Sequence, residues 1–171
     1  MVSLSQHRKQ SRIILPRREN VIVTPNVEIL VRDGDGGRIL RRVRSKNLVT
    51  SEGLYKLIRL IAYPDEDFPS WSKSLQYIAV GTGITAPVAG DTVMEAEVLR
   101  KSITRRYPQT LGIDFYLDVM TSEGNGSELS EIGLFSESTG GTLWARCVHS
   151  AITKTALISV QYRWNWTFGA T

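Results

Sequence analysis

From residue 27 onward, apolar and polar positions alternate in short runs broken by glycine. Val27, Ile29 and Val31 alternate with Glu28 and Arg32, Asp33-Gly34-Asp35-Gly36-Gly37 follows, and Ile39-Leu40-Arg41-Arg42-Val43-Arg44 resumes the run. Two such runs about an Asp/Gly turn predict a β-hairpin. Further strands are predicted over residues 75–80, 98–105, 111–119, 129–135 and 143–149. The last run is the longest. Ala156, Ile158, Val160, Tyr162, Trp164, Trp166 and Phe168 share one side, with Ser159, Gln161, Arg163, Asn165 and Thr167 on the other. Period-2 alternation of this length predicts antiparallel sheets with one face buried. The fold class is therefore mainly β: seven to eight strands in an antiparallel β-sandwich or jelly-roll-like domain over residues 27–171.

Two segments break the pattern. Leu54, Leu57, Ile58 and Ile61 fall at i, i+3, i+4 and i+7, the spacing of one helical stripe. Thr50 or Ser51 supplies an N-cap, Glu52 suits the positive end of the helix dipole, and Pro64 ends the helix. The loop after it carries Asp65-Glu66-Asp67 and an exposed-looking Trp71. Before residue 27 the chain reads as an extended N-terminal arm. Arg8, Lys9, Arg12, Arg17 and Arg18 lie among Ser and Gln, and the apolar runs Ile13-Ile14-Leu15 and Val21-Ile22-Val23 each stop near a proline. Proline removes an amide donor and biases its predecessor to extended geometry. Such an arm needs another surface on which to bury those residues.

Charge sharpens this division. Residues 1–46 hold eleven Lys/Arg against four Asp/Glu, whereas the remaining residues hold ten against thirteen. A basic arm on a slightly acidic body implies an acidic partner for the arm. The five arm cations and its two apolar runs favour a protein surface over nucleic acid, because they offer both steering and burial and no aromatics are interleaved. No run is long enough for a membrane span, and no secretory signal is recognised at the N-terminus. With a single cysteine, Cys147, and two histidines, neither an internal disulfide nor a Cys- or His-based metal site is expected.

Candidate chemistry is sparse. Gly81-Thr82-Gly83 lacks the Gly-Lys-Ser/Thr ending of a phosphate loop. Asp33-Gly34-Asp35-Gly36 starts like a calcium loop, but the twelfth position is Arg44 where a bidentate Glu is needed, so a hairpin turn is expected. Cys147 and His149 share a strand face, yet no third group orients them as a nucleophile and base. Asp65 to Asp67, and Asp114 with Asp118, read as solvated carboxylates in preference to a glycosidase pair. Trp164 and Trp166 share the parity of Val160 and Tyr162 and belong to a core or subunit interface. Trp144 has the opposite parity from its neighbours and is the better candidate for a surface contact or a glycan platform. No cofactor and no catalytic residue is expected.

Several blocks together carry a family resemblance: Asn47-Leu48-Val49-Thr50 with Gly53-Leu54; Tyr77 to Gly83 with Thr85-Ala86-Pro87 and Asp91-Thr92; Glu97 with Arg100; Glu131 to Phe135; Gly141 to Arg146; and Lys154-Thr155 before the terminal strand. In order and spacing the chain resembles the small β-structured virion proteins of tailed bacteriophages, of tail-collar fibre, tail-fibre or capsid-decoration type. The resemblance covers residues 27–168 and leaves the arm outside. It implies a non-enzymatic particle component, often a homotrimer, that contacts portal, neck, tail or capsid subunits in the virion. Physically, Gly81 and Gly83 are expected to permit a sharp turn through positive φ. Glu97 is expected to pair with Arg100, and Glu131 with Arg100 or Arg146. The arm residues Arg8 to Val23 are expected to anchor the subunit.

Overall fold

The computed structural model describes residues 21–62 and 74–170. Ten strands and one helix follow in the order β1 (Val21–Asp33), β2 (Ile39–Lys46), β3 (Leu48–Val49), α1 (Ser51–Ala62), β4 (Tyr77–Gly81), β5 (Glu97–Ser102), β6 (Arg105–Gln109), β7 (Gly112–Val119), β8 (Glu128–Phe135), β9 (Leu143–Thr153) and β10 (Ile158–Ala170). They form two five-stranded sheets. Sheet A has the order β2-β1-β10-β7-β6, and sheet B the order β3-β9-β8-β4-β5. Every ladder within the two sheets is antiparallel. The mainly β architecture with one short helix is thus the one the alternation predicts, and it is compatible with a sandwich.

The chain changes sheet at both edges. Asn47 lies between β2 and β3, and Ile103-Thr104 between β5 and β6. A strand that switches sheets forms a corner of a sandwich. This explains why the basic run predicted as one strand over residues 98–105 is two: the buried Ile103 turns into the core at the corner. β6 escapes prediction because it contains Pro108, which an edge strand tolerates. At the other corner, with its amide oriented to satisfy both neighbours, Asn47 accepts the Trp164 indole N–H and donates to the Pro25 carbonyl at 3.0 Å.

The core lies between the inward faces. Sheet A contributes Val27, Ile29, Val31, Phe115, Leu117, Val119, Val160, Tyr162, Trp164 and Trp166, all nearly inaccessible. Sheet B contributes Ile78, Val80, Ile132, Leu134, Ala145 and Cys147. Each fully buried aliphatic or Phe side chain contributes about 1.5–3 kcal/mol relative to exposure.

Three expectations are corrected. The first strand reaches back to Val21 and is not confined to residues from 27 on: Val21 to Asn26 pair with Ala170 to Asn165 of β10, so Val21, Ile22 and Val23 of the expected arm belong to the sheet. The alternation simply continues outward on both sides of Pro25. Trp144 is buried, at 2% exposure, and is not a surface contact. A bulge in the β8–β9 register at Leu134/Phe135 accompanies the loss of strict parity: Leu143 is buried with Ala79, Met94 and Phe135, while Trp144 and Ala145 both join the main core. Finally, α1 is turned by one residue from its predicted stripe. Gly53 and Lys56 are buried and Leu57 packs on the core, while Leu54 and Ile58 face outward. The cause is Gly53, whose Cα sits so close to the Trp144 carbonyl that a Cβ there would overlap it. Thr50 caps the helix, accepting the Gly53 N–H at 3.0 Å.

Candidate docking site: a loop seated on a buried ion cluster

Between β4 and β5 the chain makes an irregular connection, residues 82–96. Ordered connections of this length without secondary structure are usually functional. This one is fastened from beneath by side chains of sheet B. Arg146 on β9 donates from Nε to Glu131 Oε1 at 2.5 Å and from Nη1 to Asp91 Oδ2 at 2.9 Å, and its Nη2 lies 3.5 Å from Glu95 Oε2. Arg146 and Glu131 are almost completely buried. Glu131 also accepts the backbone N–H of Glu95 at 2.9 Å and of Ala96 at 3.2 Å. Glu95 in turn accepts the N–H groups of Ile84 and Thr85, at 2.9 and 2.8 Å, and the Thr85 hydroxyl.

The electrostatics follow from this geometry. Burial alone would lower the Arg146 guanidinium, but the hydrogen bonds to Glu131 and Asp91 outweigh it and hold the group above its ordinary range. The Thr85 backbone and hydroxyl donors hold the Glu95 carboxylate below its usual value. Breaking such a buried pair is costly because one charge is left uncompensated.

Close approach completes the seat. A Cβ on Gly81 would overlap the Ala96 carbonyl, and one on Gly83 the Glu131 carboxylate. Neither glycine has positive φ. The expected role of these residues is therefore corrected: they are small so that the loop can lie against sheet B, and they form no left-handed turn. Ser130 donates to the Gly83 carbonyl at 3.0 Å. The Ala89 carbonyl accepts the Ser51 N–H at 2.8 Å, which links the loop to the start of α1.

A loop held this tightly would be expected to hide its apolar side chains, yet it displays them. Ile84, Val88 and Val93 are 76%, 59% and 68% exposed. On α1, Leu54 and Ile58 are exposed as well. The arrangement can present aliphatic side chains on a rigid frame, which is what a protein interface requires at low entropic cost.

The outer face of sheet A is polar. Arg44, Glu28, Arg163, Tyr116 and Arg105 lie in register across five strands. Arg44 pairs with Glu28 at 3.1 Å, Arg163 with Asp114 at 2.8 Å, and Arg105 with Asp118 at 3.0 Å. An open depression of about 560 Å³ lies among Arg44, Lys46, Arg163 and Asn165. Along β2 and its turn, Arg38, Arg41, Arg42, Arg44 and Lys46 are exposed. Charges on an edge strand discourage pairing with another chain.

The other sequence candidates are placed as follows. Arg8, Lys9, Arg12, Ile13, Ile14, Leu15, Arg17, Arg18 and Trp71, with Asp65 to Asp67, lie outside the described residues. Glu97 and Arg100 form the expected pair at 2.5 Å, and Arg100 stacks over Phe135. Of its two possible partners, Glu131 takes Arg146. Cys147 and His149 are both buried; burial pushes the thiol up to about 11, which keeps it protonated, and lowers the imidazole. Asp114 is buried, which corrects its expected place as a solvated carboxylate, and is held by Arg163 and Asn165; Asp118 is partly exposed and held by Arg105 and Gln161. Asp35 accepts the Thr121 N–H and hydroxyl, tying the first hairpin to the loop after β7. Sequence reasoning missed the parts played by Asp91 and Glu95. It also missed the buried Lys154, which donates to Asn125 Oδ1 and the Thr155 carbonyl at 2.9 Å each. A lone lysine between two predicted strands gives no sign that it will be buried.

Among the described residues, no group of three His, Cys, Asp or Glu side chains is placed to hold a metal ion, and no helix is long and apolar enough to cross a membrane. No protein-family model, no curated protein and no solved structure matches the chain.

Proposed function

We propose that this protein is a non-enzymatic structural subunit of a tailed-phage virion, of tail-collar, neck or tail-fibre type, which docks onto neighbouring virion subunits through the 82–96 loop and the exposed side of α1. One observation carries the reading. The blocks that bear the family resemblance are scattered in sequence but meet around one device: Tyr77 to Gly83, Asp91, Glu131 and Arg146 are the bed and fastenings of that loop. The shared pattern is then a pattern for holding a loop, and the side chains the loop displays are aliphatic. The basic arm adds steering toward an acidic neighbour. Capsid decoration uses the same device on a different neighbour.

A full-length protein with Ile84, Val88 and Val93 all changed to Asp tests the proposal. Surface substitutions of this kind stay within about 0.5 kcal/mol in stability. The variant is expected to fold and yet be absent from particles purified after infection, whereas the unaltered protein is present in fixed proportion. Normal incorporation of the variant overturns the loop's role. Absence of the unaltered protein from particles overturns the virion assignment.

A second reading draws on the exposed cations of β2 and the adjoining depression, which offer contacts to phosphates. Filter binding to duplex DNA across a salt series separates it: affinity that falls steeply with salt and is lost on changing Arg42 and Arg44 to Gln supports a nucleic-acid partner.

A further inference from the structure

The two broad sides of the sandwich carry their ion pairs the opposite way up. On the outer face of sheet A the register brings together Arg32, Arg42, Arg44, Lys46, Arg105 and Arg163 with Glu28, Asp114 and Asp118, six cations against three carboxylates. The carboxylates lie low, at most 23% exposed, whereas Arg42, Arg44, Arg105 and Arg163 are 39 to 73% exposed. A guanidinium has five N–H donors, so one paired with a carboxylate beneath it keeps others for a partner above.

On sheet B the order is reversed. Ile132, Leu134, Ala145 and Cys147 face the core, so Glu131 and Arg146, which alternate with them, face outward beneath the 82–96 loop. Here the cations are at the bottom. Arg146 and Arg100 are 4% and 9% exposed, while their partners Glu95 and Glu97 are 40% and 32% exposed. Residues 82–97 contain Asp91, Glu95 and Glu97 and no Lys or Arg. With the bed included, two guanidiniums meet four carboxylates: Asp91, Glu95, Glu97 and Glu131. The loop side is thus negative, with the exposed aliphatics Ile84, Val88 and Val93 interspersed.

Opposite signs on opposite faces of one domain select its partner. One copy cannot bring its own two faces together. A two-fold contact joins a patch to itself, which here sets like charge against like. A second copy turned head-to-tail supplies each face with the sign it lacks. The size is adequate: five strands about 4.8 Å apart, of roughly ten residues each rising about 3.3 Å, make a face on the order of 800 Å², which is one side of a standard interface.

We propose that the 82–96 loop of one copy seats on the outer face of sheet A of a second copy. Glu95 and Glu97 meet Arg42, Arg44 and Arg163, and the aliphatic side chains lie against the hydrocarbon stems of those arginines. The contact repeats, because each copy gives its loop to one neighbour and its sheet to another. The inference rests on the reading of the loop as a docking surface and names the neighbour. Because charge assists the contact, it weakens with salt; dilute protein is monomeric and associates as concentration rises.

Sedimentation velocity of the full chain over a concentration series is expected to show a monomer that grows into larger species at low salt and returns to monomer at high salt. Arg42→Glu with Arg44→Glu reverses the receiving face. Ile84→Asp, Val88→Asp and Val93→Asp together spoil the loop. Each variant alone is expected to stay monomeric with an unchanged far-ultraviolet spectrum. Mixed, the two are expected to form a one-to-one dimer and nothing larger, since the first keeps an intact loop and the second an intact sheet A face. An unaltered protein that is monomeric at every concentration, a variant that still self-associates, or a mixture that stays monomeric would overturn the head-to-tail contact. None of these results bears on incorporation into particles, which the experiment above reads separately.

Discussion

Replacing Arg146 by Met removes the centre of the ion cluster and keeps most of the side-chain volume. Arg146 makes a 2.5 Å contact to a Glu131 carboxylate that is wholly buried, and a 2.9 Å contact to Asp91. Without it, Glu131 retains the Glu95 and Ala96 amides but no countercharge. Removing one partner of a buried pair costs about 3–5 kcal/mol. For a chain of this size that lowers Tm by about 6–20 °C. Adding Glu131→Gln to Arg146→Met removes the stranded charge and is expected to restore about 1–3 kcal/mol. Urea unfolding followed by circular dichroism at pH 7 gives the energies, and hydrogen exchange at the Ile84, Thr85, Glu95 and Ala96 amides reports on the loop. A loss under about 1 kcal/mol with unchanged amide protection would refute the reasoning, because the loop would then be held by something other than this cluster.

Further predictions concern the seat, the helix and pH. Gly83→Ala is expected to cost about 1–3 kcal/mol by forcing the Glu131 carboxylate aside, measurable by the same unfolding assay. Gly53→Ala places a methyl on the Trp144 carbonyl and should displace α1, shown by a lowered Tm and altered tryptophan fluorescence. Glu95 has a folded pKa below its ordinary 4.5. The stability it contributes is therefore present above pH 4.5 and lost as pH falls through the folded value, so loop amides should lose protection in that window. His149 is held below 6.5 by burial, so its contribution begins to fall as pH drops beneath 6.5. His149→Gln should flatten that part of the stability profile.

How much of this was legible depended on which rule governed each segment. Period-2 alternation located β1, β7 and β10 because each buries one face against the core. It failed where local geometry overrode pattern. The 54/57/58/61 stripe is a sound helical signal, but Gly53 allows the helix backbone to touch β9, and that contact sets the rotation. Trp144 defeated parity because the chain bulges between β8 and β9. The end of the arm was misjudged because Pro25 resembles a boundary, although β1 runs through it in register with Trp166. Of the docking site, the Glu131–Arg146 pairing was foreseeable from opposite charges on neighbouring strands. The attachment of Asp91 and Glu95 was not, since long-range loop closure leaves no periodic trace.

The 82–96 loop is proposed as the surface by which this protein joins a larger assembly. Hydroxyl-radical footprinting of the free protein and of intact particles measures it directly. Ile84, Val88 and Val93 are expected to be reactive in the free protein and to become protected on assembly, with Arg146 and Glu131 silent in both. Retained reactivity at all three positions, with protection confined to the outer face of sheet A, would contradict it.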